Sequence, residues 1–105
     1  MKYPHTMIAS DGRLSEPGFG HPHPRAYGTF PRVLGRYVRE NKVISMSEAI
    51  YKMTYLPAKS FGLKNRGLIK KGMMADITIF NEQEIIDNAK VSSFSSKDWT
   101  TVLRR

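Results

Sequence analysis

The chain has 105 residues, a formal net charge of +8 and no cysteine. Its length fits one ordinary domain, because domains cluster near about 100–150 residues. The lack of cysteine excludes disulfides, thiolate zinc sites and a cysteine nucleophile. No stretch approaches the roughly 18–20 apolar residues of a membrane span, and the N-terminus lacks the apolar run of a signal peptide. These features predict a soluble, cytoplasmic protein.

The positive charge is spread along the chain instead of being clustered. The longest basic runs are the pairs Lys70-Lys71 and Arg104-Arg105. A surface that follows a phosphate backbone usually concentrates its lysines and arginines along one helix or stripe. The sequence therefore does not favour nucleic-acid binding, and a basic nucleic-acid-binding domain is kept only as an alternative.

The first predicted element is a short buried strand at residues 7–10, an apolar run that ends at the turn signal Asp11-Gly12. Residues 11–28 follow with four glycines and three prolines and show no helical or strand period. Loops of this length in compact domains are usually functional or disordered. We therefore treat residues 11–28 as a loop that is a candidate for function.

Two helices are predicted next, at about residues 30–40 and 46–62. The first tolerates Pro31 in its opening turn and has an apolar face. The second begins with a capping box, in which Ser45 and Glu48 satisfy each other's backbone amides. Pro57 either ends this helix or restarts the chain as a short helix that stops at Gly62.

The period then changes to that of strands. Residues 67–69 and 76–80 are β-branched or alternating runs joined by a turn, so residues 63–82 are expected to form strands. Residues 83–105 carry a weaker signal, with many serines and threonines, and are expected to be a weakly ordered tail.

Four residues of the loop are considered as candidates for chemistry. Asp11 directly follows the predicted strand, and α/β proteins place ligands and catalytic groups at the carboxyl ends of their strands. Asp11 could therefore act as a general base. The alternative is that it only forms an ordinary Asp-Gly turn. His21 and His23 are each followed by proline, with no further ligand at suitable spacing, so no metal site is predicted there. Arg25 could hold a carboxylate with two parallel bonds, or be one solvated cation among many.

The ordered set of motifs resembles the C-terminal part of N-acyl-D-amino-acid deacylases (D-aminoacylases), members of the amidohydrolase superfamily. The resemblance covers about residues 6–82. Its narrow element is the run from His23 to Arg32, whereas the ending around Gly72 to Ile77 is shared by much of the superfamily. The motifs are Ile8-Ala9-Ser10-Asp11-Gly12, His23-Pro24-Arg25-Ala26-Tyr27-Gly28-Thr29-Phe30-Pro31-Arg32, Arg66-Gly67-Leu68-Ile69 and Gly72-Met73-Met74-Ala75-Asp76-Ile77.

This resemblance implies an α+β segment of a (β/α)8 barrel. Residues 1–62 would supply the last strand, the active-site loop 11–28 and the following helices, and residues 63–82 the return strands of a small β-sandwich. It also implies a zinc-dependent hydrolysis of the amide bond of N-acyl-D-amino acids. Asp11 matches the aspartate that moves the proton, Arg25 matches the arginine that binds the substrate carboxylate, and His23 matches a neighbour that lines the pocket or positions the loop.

The zinc ligands of such an enzyme are not expected in this sequence. We therefore predict that this chain alone binds no zinc, is inactive as a deacylase, and self-associates through uncovered apolar surface. A second hypothesis is a stand-alone interaction module that complements a partner chain carrying the rest of the barrel.

Overall fold

A computed structural model describes residues 1–14 and 22–88 of the chain. Helices dominate the second of these ranges. In chain order they are α1 (Arg25–Arg32), a π-helical segment (Val33–Glu40) that continues it, α2 (Met46–Met53) and α3 (Tyr55–Ser60). In the described part of the chain, no helix has the length and apolar character needed to cross a membrane.

The first helix begins at Arg25, five residues earlier than the predicted start at residue 30. Pro24 has helical backbone angles (φ −50°, ψ −27°), and its carbonyl accepts the amides of Tyr27 and Gly28 at 3.1 and 2.9 Å. The start is hidden in the sequence because Gly28 and Pro31 disfavour a helix. Pro31 lies inside α1 and has no N–H to give to the hydrogen-bond ladder. Two residues later the wider π-helical spacing begins.

The predicted continuous helix over residues 46–62 is wrong, and the alternative of a restart is confirmed. The capping serine is in place, since Ser45 Oγ accepts the amide of Glu48 at 3.2 Å. The break lies at Thr54 (φ −127°, ψ −79°). Pro57, three residues on, has no N–H for the carbonyl of Met53 and would crowd it in an unbroken helix.

The second short helix, α3, stops where a glycine was expected to stop it. Gly62 takes the left-handed conformation at φ +66°. The amide of Leu63 then reaches the carbonyl of Ala58 at 2.8 Å, and the amide of Gly62 reaches that of Lys59 at 3.3 Å. This pair of bonds is the Schellman arrangement, which satisfies the last free carbonyls of a helix.

The core lies between the π-helical segment and α2. Its buried members are all small or branched apolar side chains, and half-buried residues from both ends of the described chain pack against them, among them Ile8, Phe80 and Ile85. Burial of each branched side chain contributes about 1.5–3 kcal/mol. The buried cluster is Val33, Leu34, Val38, Ile44 and Ala49.

The structure differs from the sequence prediction at the strands. In the described residues, none of the segments 7–10, 67–69 and 76–80 forms a ladder, so the expected α+β fold is observed only as its helical half. A strand needs a neighbouring strand for its backbone groups. The amide of Ile8 instead donates to the carbonyl of Lys52 in α2, at 3.2 Å, and Ile79 is 89% exposed.

The predicted tail begins too early. Ile85 and Ile86 are half-buried against the π-helical segment, and Asp87 is only 4% exposed. Arg39 Nη1 donates to the carbonyls of Glu82 and Ile85 at 2.9 and 2.7 Å. The backbone passes so close to Gly35 that a Cβ there would lie 2.5 Å from the Ile85 carbonyl oxygen. Residues 89–105 of the predicted tail lie outside the described residues.

Candidate functional site

The candidate site is built at the start of α1. The amide of Arg25 donates to Nδ1 of His23 at 3.0 Å, so the imidazole caps the first free amide of the helix. A backbone N–H is only a donor, so Nδ1 is the acceptor of this bond. His23 therefore holds the backbone of the residue that follows Pro24.

Arg25 reaches back to the segment that precedes the loop. Its Nε donates to the main-chain carbonyl of Asp11 at 3.1 Å, and its Nη2 lies 3.5 Å from Asp11 Oδ2. The two groups hold both the backbone and the carboxylate of Asp11. The structure thus brings together the two residues, fourteen positions apart, that the sequence singled out.

The backbone around Asp11 is shaped for this contact. Asp11 is in the left-handed region at φ +48°, a conformation that aspartate tolerates better than most residues. Gly12 follows, and a Cβ at its position would lie 2.8 Å from the Cα of Ala26. The amide of Gly12 bonds to Ser10 Oγ at 3.3 Å. Only a glycine allows the chain to pass this close to α1.

Both charged groups are open to solvent. The side chain of Asp11 is 88% exposed and that of Arg25 is 49% exposed. An exposed ion pair of this kind contributes about 0–1 kcal/mol to stability. The pair is therefore available to a ligand or to a further part of a larger protein, and contributes little to folding.

The described residues do not supply a metal centre. They contain no group of three or more histidine, cysteine, aspartate or glutamate side chains that could hold a metal ion. His21 lies outside the described residues, so the pairing of His21 with His23 is not addressed by the structure. The zinc that the resemblance implies would need ligands beyond the described residues around Asp11.

Two further charged clusters escaped sequence reasoning. Lys52 is only 1% exposed, and its ammonium lies among carbonyl oxygens of residues 3–6. Asp87 is held by Arg32 and Arg36, with Arg32 Nη2 2.6 Å from Oδ2 and Arg36 Nε 3.3 Å from Oδ1. The first contact is an ion pair by distance, but its angle is not that of a hydrogen bond. Lys52 could have been suspected, because it follows Ala49 by three residues on the buried face of α2.

Comparison with known proteins assigns the chain to a family. A model of the amidohydrolase family matches residues 4–94, twelve residues beyond the predicted end of the resemblance at 82. The chain is 47% identical over 83 residues to the N-acyl-D-glutamate deacylase of Alcaligenes xylosoxydans xylosoxydans, covering 79% of this chain and 16% of that protein. It is 45% identical over 84 residues to the D-aminoacylase of the same organism, covering 80% and 17%.

A solved structure agrees with these matches. The crystal structure of the N-acyl-D-glutamate deacylase of Bordetella bronchiseptica, complexed with zinc and a phosphonate mimic of the reaction's tetrahedral intermediate, superposes with a TM-score of 0.73 at 42% identity, over 81% of this chain and 17% of that one. The chain thus spans less than a fifth of the length of the relatives that it matches. From the matched residues and the shared fold, this chain belongs to the amidohydrolase family of hydrolases and is similar, over about four-fifths of its length, to the N-acyl-D-amino-acid deacylases.

Proposed function

We propose that this chain is the C-terminal segment of a zinc-dependent hydrolase that cleaves the amide bond of N-acyl-D-amino acids. The observation that carries the proposal is the contact between Arg25 and Asp11, in a chain 45% identical to a D-aminoacylase over 84 residues. A zinc site would need ligands beyond the described residues, and this chain would contribute the groups that move a proton and orient the substrate.

Asp11 is proposed to be the proton-transfer residue. Its carboxylate is exposed on the side not covered by Arg25, so the proton of an attacking water and the nitrogen of the leaving amine can both reach it. Arg25 holds the backbone of Asp11 through Nε and lies beside its carboxylate through Nη2. The planar guanidinium is suited to binding a substrate carboxylate with two parallel hydrogen bonds.

The test is a chimera in which this chain's 84 matched residues replace the corresponding segment of the Alcaligenes D-aminoacylase. We expect the zinc-loaded chimera to hydrolyse N-acyl-D-amino acids, and Asp11→Asn in it to lower kcat by about 10²–10⁴-fold. A chimera that folds and binds zinc but has the same kcat with aspartate or asparagine at position 11 contradicts the proposal.

A matched control is available in the same chain. Asp76 also forms an exposed ion pair with an arginine, Arg66, so Asp76→Asn removes the same charge from a pair of the same kind. We expect this variant of the chimera to keep the kcat of the parent. An equal loss in both variants would point to a general effect of charge on the fold.

The isolated chain is proposed to be inactive and to associate with other protein. An apolar groove of about 730 Å³ lies between α2 and residues 67–80, and the exposed side chains of Ile69 and Ile77 line it. Exposed patches of this type mark association surfaces. This observation also favours the second candidate function, an interaction module that completes a partner chain.

Mixing experiments separate these two cases. The purified chain with zinc is expected to show no hydrolysis of N-acetyl-D-glutamate, and sedimentation is expected to show species larger than 12.0 kDa. The interaction-module hypothesis expects hydrolysis to return when a relative truncated before the matched segment is added. It is rejected if the truncated relative is folded and zinc-loaded and the mixture stays inactive.

A further inference from the structure

Lys52 is a buried cation with a defined set of partners. The residue is 1% exposed, and an ammonium removed from water must be paired and hydrogen-bonded to be tolerated. Its Nζ donates to the carbonyl of Tyr3 at 2.6 Å and to those of Pro4 and Thr6 at 3.3 Å. Thr6 Oγ1 lies at 3.4 Å and Glu48 Oε1 at 3.8 Å. The cage is therefore made largely of backbone oxygens.

The oxygens of this cage come from one turn of the N-terminal segment. The amide and the hydroxyl of Thr6 also donate to the Tyr3 carbonyl, at 3.3 and 2.9 Å. Converging carbonyl dipoles repel one another unless a positive charge lies between them. The conformation of residues 3–6 thus depends on the ammonium of Lys52.

The same segment leads directly to the candidate catalytic carboxylate. Two residues after the turn, the amide of Ile8 donates to the main-chain carbonyl of Lys52 at 3.2 Å, and Ile8 packs on the core. Asp11 follows three residues later and is held by Arg25. Residues 3–11 are attached to α2 at one end and to α1 at the other, and the strand predicted at residues 7–10 is not formed.

We propose that Lys52 is a positioning residue, which holds residues 3–8 on α2 and thereby places the Asp11 carboxylate beside Arg25. The functional meaning of this placement rests on the proposed role of Asp11 in proton transfer. The placement itself is a property of this chain and can be measured on it directly.

The test exploits the fact that the sequence contains no cysteine. Lys52→Cys introduces the only thiol in the chain, and aminoethylation of that thiol in the unfolded state restores an ammonium at nearly the length of lysine. Carbamidomethylation gives a neutral side chain of similar size. Two NMR readouts follow the N-terminal segment: hydrogen exchange of the Ile8 amide, and the cross-peak between the Arg25 Nε proton and Asp11 Hα.

We expect Lys52→Cys and its carbamidomethylated form to lose the cross-peak and to exchange the Ile8 amide about tenfold faster or more. Aminoethylation is expected to restore both. Lys59 is exposed on α3 and serves as the control. Lys59→Cys and its carbamidomethylated and aminoethylated forms are expected to keep both the cross-peak and the Ile8 exchange rate of the parent chain. An intact cross-peak and unchanged Ile8 exchange in the neutral forms at position 52 overturn the proposal.

A deletion covers the case in which the neutral forms do not fold. Removal of residues 1–5 takes away the carbonyls of Tyr3 and Pro4 and leaves the Lys52 ammonium hydrated. We expect the helices to persist and the cross-peak between Arg25 and Asp11 to be lost. If the cross-peak is retained, the proposal is overturned. Failure of the proposed function is distinguishable, because full kcat for Asp11→Asn in the chimera would remove the role of Asp11 without altering these NMR results.

Discussion

Asp87 and Asp11 are held by their arginine partners in opposite ways. Asp87 is buried, and it is reached by Arg32 at the end of α1 and by Arg36 in the π-helical segment. Asp11 is 88% exposed and has Arg25 as its partner. A buried carboxylate must be compensated by its partners or it destabilises the fold, whereas an exposed pair is already hydrated and contributes little. The difference separates a contact that holds the chain together from one that is free to take part in chemistry.

The largest expected loss of stability comes from substitution of the buried aspartate, Asp87. Asp87→Ala leaves two guanidinium groups without their carboxylate and releases residues 82–87 from the π-helical segment. Because both arginines are partly exposed and can be hydrated, we expect a loss of about 2–3 kcal/mol in the free energy of unfolding. Urea unfolding followed by circular dichroism measures it.

Glu84→Ala is the control for this measurement, since Glu84 is exposed in the same segment. It is expected to change the free energy of unfolding by less than about 0.5 kcal/mol. Equal effects from the two variants would mean that the pairing of Asp87 does not hold the segment.

A smaller effect is expected at Gly35, where the same segment crosses the helix. A methyl group there would lie 2.5 Å from the Ile85 carbonyl oxygen and 3.0 Å from the Ile86 Cα. We expect Gly35→Ala to destabilise by about 1–2 kcal/mol, because overpacking against backbone outweighs the better helix propensity of alanine. The measurement is again urea unfolding.

The effect of Gly35→Ala on the free energy of unfolding should change sign when the segment that crosses the helix at Gly35, residues 82–88, is absent. In a chain ending at Asn81, Gly35→Ala meets no Ile85 or Ile86 and should stabilise by up to about 1 kcal/mol through helix propensity. Destabilisation of the same size in both chains would show that the close approach at Gly35 is not the cause.

The smallest effect is expected at the exposed pair. Arg25→Gln removes the ion pair with Asp11 but leaves the helix cap of His23 in place, so the free energy of unfolding should fall by about 0–1 kcal/mol. The loss should shrink further at high salt, since the charges are exposed and screened. A loss as large as that of Asp87→Ala would remove the contrast between the two aspartates.

Local sequence patterns determined a large part of this protein. The capping serine at Ser45, the stop at Gly62 and the glycine after Asp11 follow from backbone rules that act within a few residues. The motif residues Asp11, His23 and Arg25 were also found from the sequence, and the structure brings them together. Each of these features depends on neighbours in the chain or on a short motif.

Only the tertiary structure decided which charges are buried and whether the strand-like segments pair. Lys52 meets carbonyls forty-six or more residues away, and Asp87 meets Arg36 across fifty-one, distances over which no local pattern operates. The segments 7–10 and 76–80 have strand-like sequences, yet in the described structure they have no ladder, because a strand's hydrogen bonds belong to its neighbour and not to itself. Pairing is a property of the packed molecule, and this is why the partners of these charges and segments could not be predicted from the order of the residues.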